Sequence, residues 1–174
     1  MIISLKFNPF SRPDVNKSAT NAKSKTRMTE ETPRQILFAL CWRGGEGALD
    51  KIKVLYNTKQ VKIDEVDENN VTALRFAAQY NHPEIVSYLL SLNSSTKIKA
   101  KDGIDPLLSA VEKRHVNIVK ILLESGASPN NALSRDGVWC LKQARDNYHD
   151  EMVELLLKYG ARDPKKFSEK CAIM

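Results

Sequence analysis

The sequence predicts an all-α solenoid of about four helix–turn–helix repeats, the first degenerate and the last acting as a cap. Three observations predict it. Apolar residues return in register every 33 or 34 positions through most of the 174-residue chain. Within each return they lie three to four residues apart, the spacing of a helix face and not of a strand. The 7 glycines are few for a protein built on hairpins or phosphate-binding loops.

The period is clearest from residue 72 onward. Thr72, Leu74, Ala77 and Ala78 open one unit, and His82, Ile85-Val86 and Leu89-Leu90 complete it. Asp105, Leu107, Ala110 and Val111, then His115, Ile118-Val119 and Leu122-Leu123, follow in the same register. Leu141, Ala144, His149, Met152-Val153 and Leu156-Leu157 repeat it once more. Each unit reads as a short inner helix, small enough at its alanines for close approach, and a second helix near 83–92 or its equivalent. Pro83 suits the first turn of that second helix, where a missing N–H costs nothing. Neither helix can bury its stripe alone, so the units must stack. A degenerate first unit fits residues 33–66, with Ile36 and Ala39 at inner positions and Ile52, Leu55 and Tyr56 at outer ones. About four extra residues, Gly44–Gly47, are expected in its turn.

The spacing and the segments Lys101-Asp102-Gly103-Ile104-Asp105-Pro106-Leu107, Ser125-Gly126-Ala127 and Tyr159-Gly160-Ala161 resemble the ankyrin-repeat family, whose units of about 33 residues carry a Thr-Pro-Leu-His-x-Ala signature. The resemblance covers residues 33–163. It departs at the signature His, here Arg75, Leu108 and Lys142, and at the signature Thr in the last unit, here Trp139. Asp105 can still cap a helix through its carboxylate, whereas Trp139 cannot. The resemblance implies protein binding on the concave face, by turn tips and inner helices. Those positions are Glu68, Asn69, Val71, Gln79 and Tyr80, then Lys101, Asp102, Ile104, Glu112 and Lys113, and finally Arg135, Asp136, Val138, Asp146 and Asn147. Trp139 joins them, and Tyr80, Ile104 and Trp139 are the expected hot spots.

Charge divides the chain in three. Residues 1–29 carry a net +5, residues 30–157 a net −2 and residues 158–174 a net +3. Residues 1–32 read as a disordered basic segment, and residues 164–174 as a basic tail. A near-neutral body without a basic, aromatic-interleaved surface argues against nucleic acid. Basic ends suit an anionic membrane surface. The sequence closes on Cys171-Ala172-Ile173-Met174, a Cys-aliphatic-aliphatic-X box in which Met favours farnesylation of Cys171. One prenyl chain holds a protein only reversibly, so the neighbouring lysines would supply the second signal.

The three cysteines form no Cys-x-x-Cys pair and no disulfide framework. Cys41 and Cys140 read as buried structural residues. His82, His115 and His149 recur once per unit, but packed helices sit about 8–10 Å apart, too far for three successive units to share one ion with bonds of about 2 Å. They are expected to bond to backbone. No catalytic residue, cofactor or metal is expected, and the chain reads as a monomer. The function expected is a non-enzymatic adaptor held at the cytosolic face of a membrane, with a prenyltransferase as a second partner. A small repeat protein ending in a prenylation box resembles signalling adaptors and Legionella-type effectors that borrow a host's prenylation machinery. The alternative is a soluble inhibitor of a kinase or transcription factor, in which the terminal box is fortuitous.

Overall fold

Helix α1 (Pro33–Arg43) starts where the sequence supplies every start signal. Thr32 accepts from the Gln35 backbone N–H, the Gln35 side chain accepts from the Thr32 backbone N–H at 2.9 Å, and Pro33 takes the first position. The remaining helices are α2 (Ala48–Asn57), α3 (Ala73–Gln79), α4 (Pro83–Ser91), α5 (Pro106–Glu112), α6 (Val116–Glu124), α7 (Cys140–Asp146) and α8 (Asp150–Lys158). This computed structural model describes residues 31–131 and 139–162. The chain divides into two units, Met1–Glu30 and Glu31–Met174, and every described residue belongs to the second. The expected basic end segments, apart from residues 31 and 32, lie outside the described residues.

The helices pair as the period requires. Within each unit the odd-numbered helix packs on the even one that follows it. Between units α1, α3, α5 and α7 form an inner layer, and α4, α6 and α8 meet in an outer one. Leu74, Ala77 and Ala78 are fully buried, as are Leu107 and Ala110, and Leu141 and Ala144 are nearly so. The outer helices contribute Ile85, Val86 and Leu89, then Ile118, Val119 and Leu122, then Met152 and Leu156. Each buried leucine is worth roughly 2–3 kcal/mol of transfer free energy, which is how helices of seven to eleven residues persist. Among the described residues the only strand-like pairing is an isolated bridge between Val66 and Thr72.

Histidine links the units. His82 Nε2 donates to the Trp42 carbonyl at 3.2 Å, and His115 Nε2 to the Gln79 carbonyl at 3.1 Å. Both rings sit at the N-caps of outer helices and reach the end of the inner helix of the preceding unit, α1 for His82 and α3 for His115. Just before each N-cap the chain turns through a left-handed residue, Asn81, Arg114 or Tyr148.

The first unit departs from the sequence expectation in two ways. Leu37 and Cys41 are the buried residues of α1, while Ile36 and Ala39 are half-buried. The Trp42 and Gln79 carbonyls play equivalent parts, so Leu37 corresponds to Leu74 and the register is one residue later than expected. The connection 44–47 has four residues against three in 80–82, 113–115 and 147–149. Helix α1 also runs eleven residues against seven for the other inner helices, and Thr32 and Gln35 cap its early start.

Asp105 shows how a buried carboxylate is held. It is 1% exposed, accepts from Leu108 N at 2.9 Å as the cap of α5, and accepts from Asn131 Nδ2 at 3.0 Å. Burial raises its pKa above the ordinary 3.8 despite those two bonds, which pull the other way. The folded protein therefore favours the neutral acid, and stability from this group declines as pH rises from below 3.8 through the folded-state value. Asp105→Asn keeps an acceptor for Leu108 N without a charge to desolvate. Chemical unfolding of both proteins across this range should show the wild type losing ground to the variant as pH rises. A wild type that gains on the variant would refute this.

Candidate functional site

The inner helices and the turns before them form one continuous face. Its tips are tight turns organised by aspartate. Asp67 Oδ1 accepts from Asn69 N at 2.8 Å and Val71 N at 2.7 Å, and Asp102 Oδ1 accepts from Ile104 N at 2.9 Å. Lys101 N donates to Asn69 O at 2.9 Å and Asn70 Nδ2 to Lys99 O at 2.7 Å, so adjacent tips are joined. Glu68, Asn69 and Lys101 are exposed at these tips, with Val71, Asp102 and Ile104 half-buried behind them.

At the other edge of the face, Gln79 and Tyr80 end α3, and Glu112 and Lys113 end α5. Asp146 and Asn147 end α7, where Lys142 Nζ lies 2.6 Å from Asp146 Oδ2 and Arg114 donates to Asn147 O at 2.8 Å. Trp139 is the N-cap of α7, extended and without a side-chain capping bond. Arg135, Asp136, Val138 and Cys171 lie outside the described residues.

Between the two edges sits an ion pair that the spacing of residues does not announce. Both Nη atoms of Arg75 meet the Asp102 carboxylate, at 3.0 and 2.7 Å. The Arg75 side chain is 9% exposed and that of Asp102 44%. Arg75 occupies the position of the family's signature histidine, so a charged fork joins the inner helix of one unit to the tip of the next. Glu112 lies near both; partial burial raises its pKa, Arg75 opposes the rise and Asp102 adds to it.

Sequence reasoning passed over the α1 end of this face. Arg34, Phe38 and Trp42 fall at i, i+4 and i+8 and share a stripe. Phe38 packs on Phe76 with ring centroids 5.6 Å apart, and Trp42 meets Tyr80 edge-on at 6.1 Å. The Arg34 guanidinium stands 5.8 Å from the Phe38 ring and that of Arg43 5.5 Å from Trp42. Basic and aromatic side chains do interleave here, which the linear charge count concealed. The helical stripe was the available signal.

The buried thiols offer little chemistry. Burial pushes the Cys41 thiol up to about 12 and raises that of Cys140 as well, so neither supplies a thiolate at neutral pH. Among the described residues no group of three His, Cys, Asp or Glu side chains could hold a metal ion, and no helix is long and apolar enough to cross a membrane.

Paired helices stacked through inner and outer layers define a helical-repeat solenoid. The family model described as "Ankyrin repeats (3 copies)" matches residues 37–132 and again 92–167. The chain belongs to the ankyrin-repeat family, whose repeats typically bind proteins. Over 69 residues it is 39% identical to a glycerophosphocholine phosphodiesterase of Candida albicans, covering 39% of this chain and 6% of that protein. Over 68 residues it is 35% identical to the ankyrin repeat and KH domain-containing protein mask of Drosophila melanogaster, covering 39% and 2%. It is also 35% identical over 82 residues to the 26S proteasome non-ATPase regulatory subunit 10 of Dictyostelium discoideum, covering 47% and 35%. The chain therefore spans only a small part to about a third of the length of these relatives.

Proposed function

We propose that this chain is an adaptor that binds a protein on its inner-helix face and is held at a cytosolic membrane surface through a prenylated Cys171. The face itself carries the binding half of the reading. Half-buried Tyr80, Ile104 and Trp139 stand on rigid helix ends and tied turns, the setting in which aromatic and aliphatic hot spots arise. Replacing Tyr80 and Ile104 together by alanine should weaken partner capture by about tenfold or more when both proteins are compared below their melts, because Tyr80 meets Trp42 and Ile104 packs on the core. Equal capture by wild type and variant, measured by quantitative pull-down, would remove this face from consideration.

The membrane half rests on Cys171-Ala172-Ile173-Met174 and on Lys165, Lys166 and Lys170 before it. Expressed in eukaryotic cells, the protein should gain the mass of a farnesyl group, lose its last three residues and fractionate with membranes. Cys171→Ser should move it to the soluble fraction. An unmodified mass, or membrane association that survives the substitution, rejects the anchor and favours the soluble inhibitor. In the effector setting the transferase would be the host's, and the same expression experiment tests that step.

A further inference from the structure

We propose that the α1–α3 end of the inner face receives an acidic peptide segment built around a bulky apolar side chain; this rests on the protein-binding reading above and names the chemistry of the partner. Phe38, Trp42, Phe76 and Tyr80 are all half-buried and lie on two adjacent inner helices. They leave ring edges and apolar surface toward solvent in one place, which suits a large aliphatic or aromatic side chain.

Charge gives the flanks. Among the described residues no carboxylate pairs with Arg34 or Arg43, whereas Arg75 and Lys142 farther along the face are held by Asp102 and Asp146. Two arginines without a paired carboxylate among the described residues thus flank the aromatic end. The Cα atoms of Arg34 and Arg43 lie about 13 Å apart along α1, with Phe38 and Trp42 between them. An extended peptide covers that distance in about four residues, so an acidic–apolar–acidic order matches the order on the helix.

The same arginines and rings would suit single-stranded nucleic acid, but two observations favour the peptide. Base stacking needs a free ring face, and the guanidiniums of Arg34 and Arg43 stand over Phe38 and Trp42. Farther along the face Asp102, Glu112 and Asp146 place carboxylates where a phosphate backbone would continue.

The test is affinity selection of a displayed library of random short peptides on the full chain, followed by fluorescence anisotropy of the enriched peptides. Selected sequences should carry Asp or Glu on either side of a large apolar residue. Their affinity should fall about tenfold or more in the double variant Arg34→Glu, Arg43→Gln. That variant should keep the wild-type melt, because an acid suits the first turn of a helix and neither side chain is buried; should it melt early, Arg43→Gln alone, at an exposed position, provides the same comparison. Peptides that lack acids, or that bind the arginine variant as tightly, overturn the proposal. If those peptides still need Tyr80 and Ile104, the protein-binding face stands and only its acidic specificity falls. Peptides indifferent to both pairs, or no enrichment at all, overturn both readings. Tighter binding of polyuridine through the same arginines overturns the proposal in favour of nucleic acid.

Discussion

Replacing Gly44 by alanine is expected to cost about 3–5 kcal/mol and to lower the midpoint of thermal unfolding by roughly 10 °C. Gly44 ends α1 with φ 60° and ψ −139°, a conformation that side chains other than hydrogen rarely adopt. A Cβ built there would overlap His82 Cε1 and Nδ1. The backbone passes directly over the imidazole, and the ring cannot simply swing aside. Its Nε2 holds the Trp42 carbonyl, the bond that ties the first unit to the second. Alanine at 44 therefore combines backbone strain, overlap and loss of an inter-unit hydrogen bond. Gly45 supplies the control: φ is 93°, but nothing lies within 4 Å of its added Cβ, so Gly45→Ala should lose only about 1 kcal/mol. Far-UV melts, with Trp42 fluorescence read in a Trp139→Phe background, would show both effects. Equal losses at 44 and 45 would disprove the role assigned to His82.

The Arg75–Asp102 pair should respond asymmetrically. Asp102→Ala is expected to destabilise by about 2–3 kcal/mol, because it strands a guanidinium that is 9% exposed and whose Nε already lacks a partner. The same change removes the Oδ1 acceptor for Ile104 N and loosens the tip. Arg75→Leu should cost under about 1 kcal/mol. Leucine already fills the equivalent place at Leu108, fully buried, and the released Asp102 carboxylate is exposed enough to be hydrated. The double variant should then fall below Arg75→Leu only by the lost acceptor for Ile104 N, about 1 kcal/mol, since the stranded charge is gone. Urea unfolding of the three variants beside the wild type measures this cycle. Equal costs for the two single variants would mean that the pair contributes as an ordinary surface ion pair.

Which parts of this architecture could be read from residue order follows from what each signal encodes. Outer helices were legible because Ile85, Val86 and Leu89 recur with the period and are buried on one side only. The register of α1 was not, since Ile36, Leu37, Ala39, Leu40 and Cys41 make a nearly continuous apolar run. Two registers are almost equally apolar there. The choice is made by the Thr32–Gln35 cap and by His82 gripping Trp42 from 40 residues away. The candidate face shows the same division. Gln79, Tyr80 and Glu112 could be placed by counting along the repeat. The Arg75–Asp102 fork, 27 residues apart, and the Phe38–Phe76 and Trp42–Tyr80 contacts arise only when units stack. Side-chain pairing between units is a property of packing, and a single unit does not contain it.

The hydrogen bonds joining neighbouring tips, from Lys101 N to Asn69 O and from Asn70 Nδ2 to Lys99 O, bear on the thermodynamics of recognition. A ligand touching one tip meets loops already constrained by the next, so little backbone entropy is left to lose on association. Binding at this edge should approach rigid-body docking, with small structural change and rates governed by encounter instead of loop ordering. Slow amide exchange at Lys101 in the free protein would be the solution signature of that preorganisation.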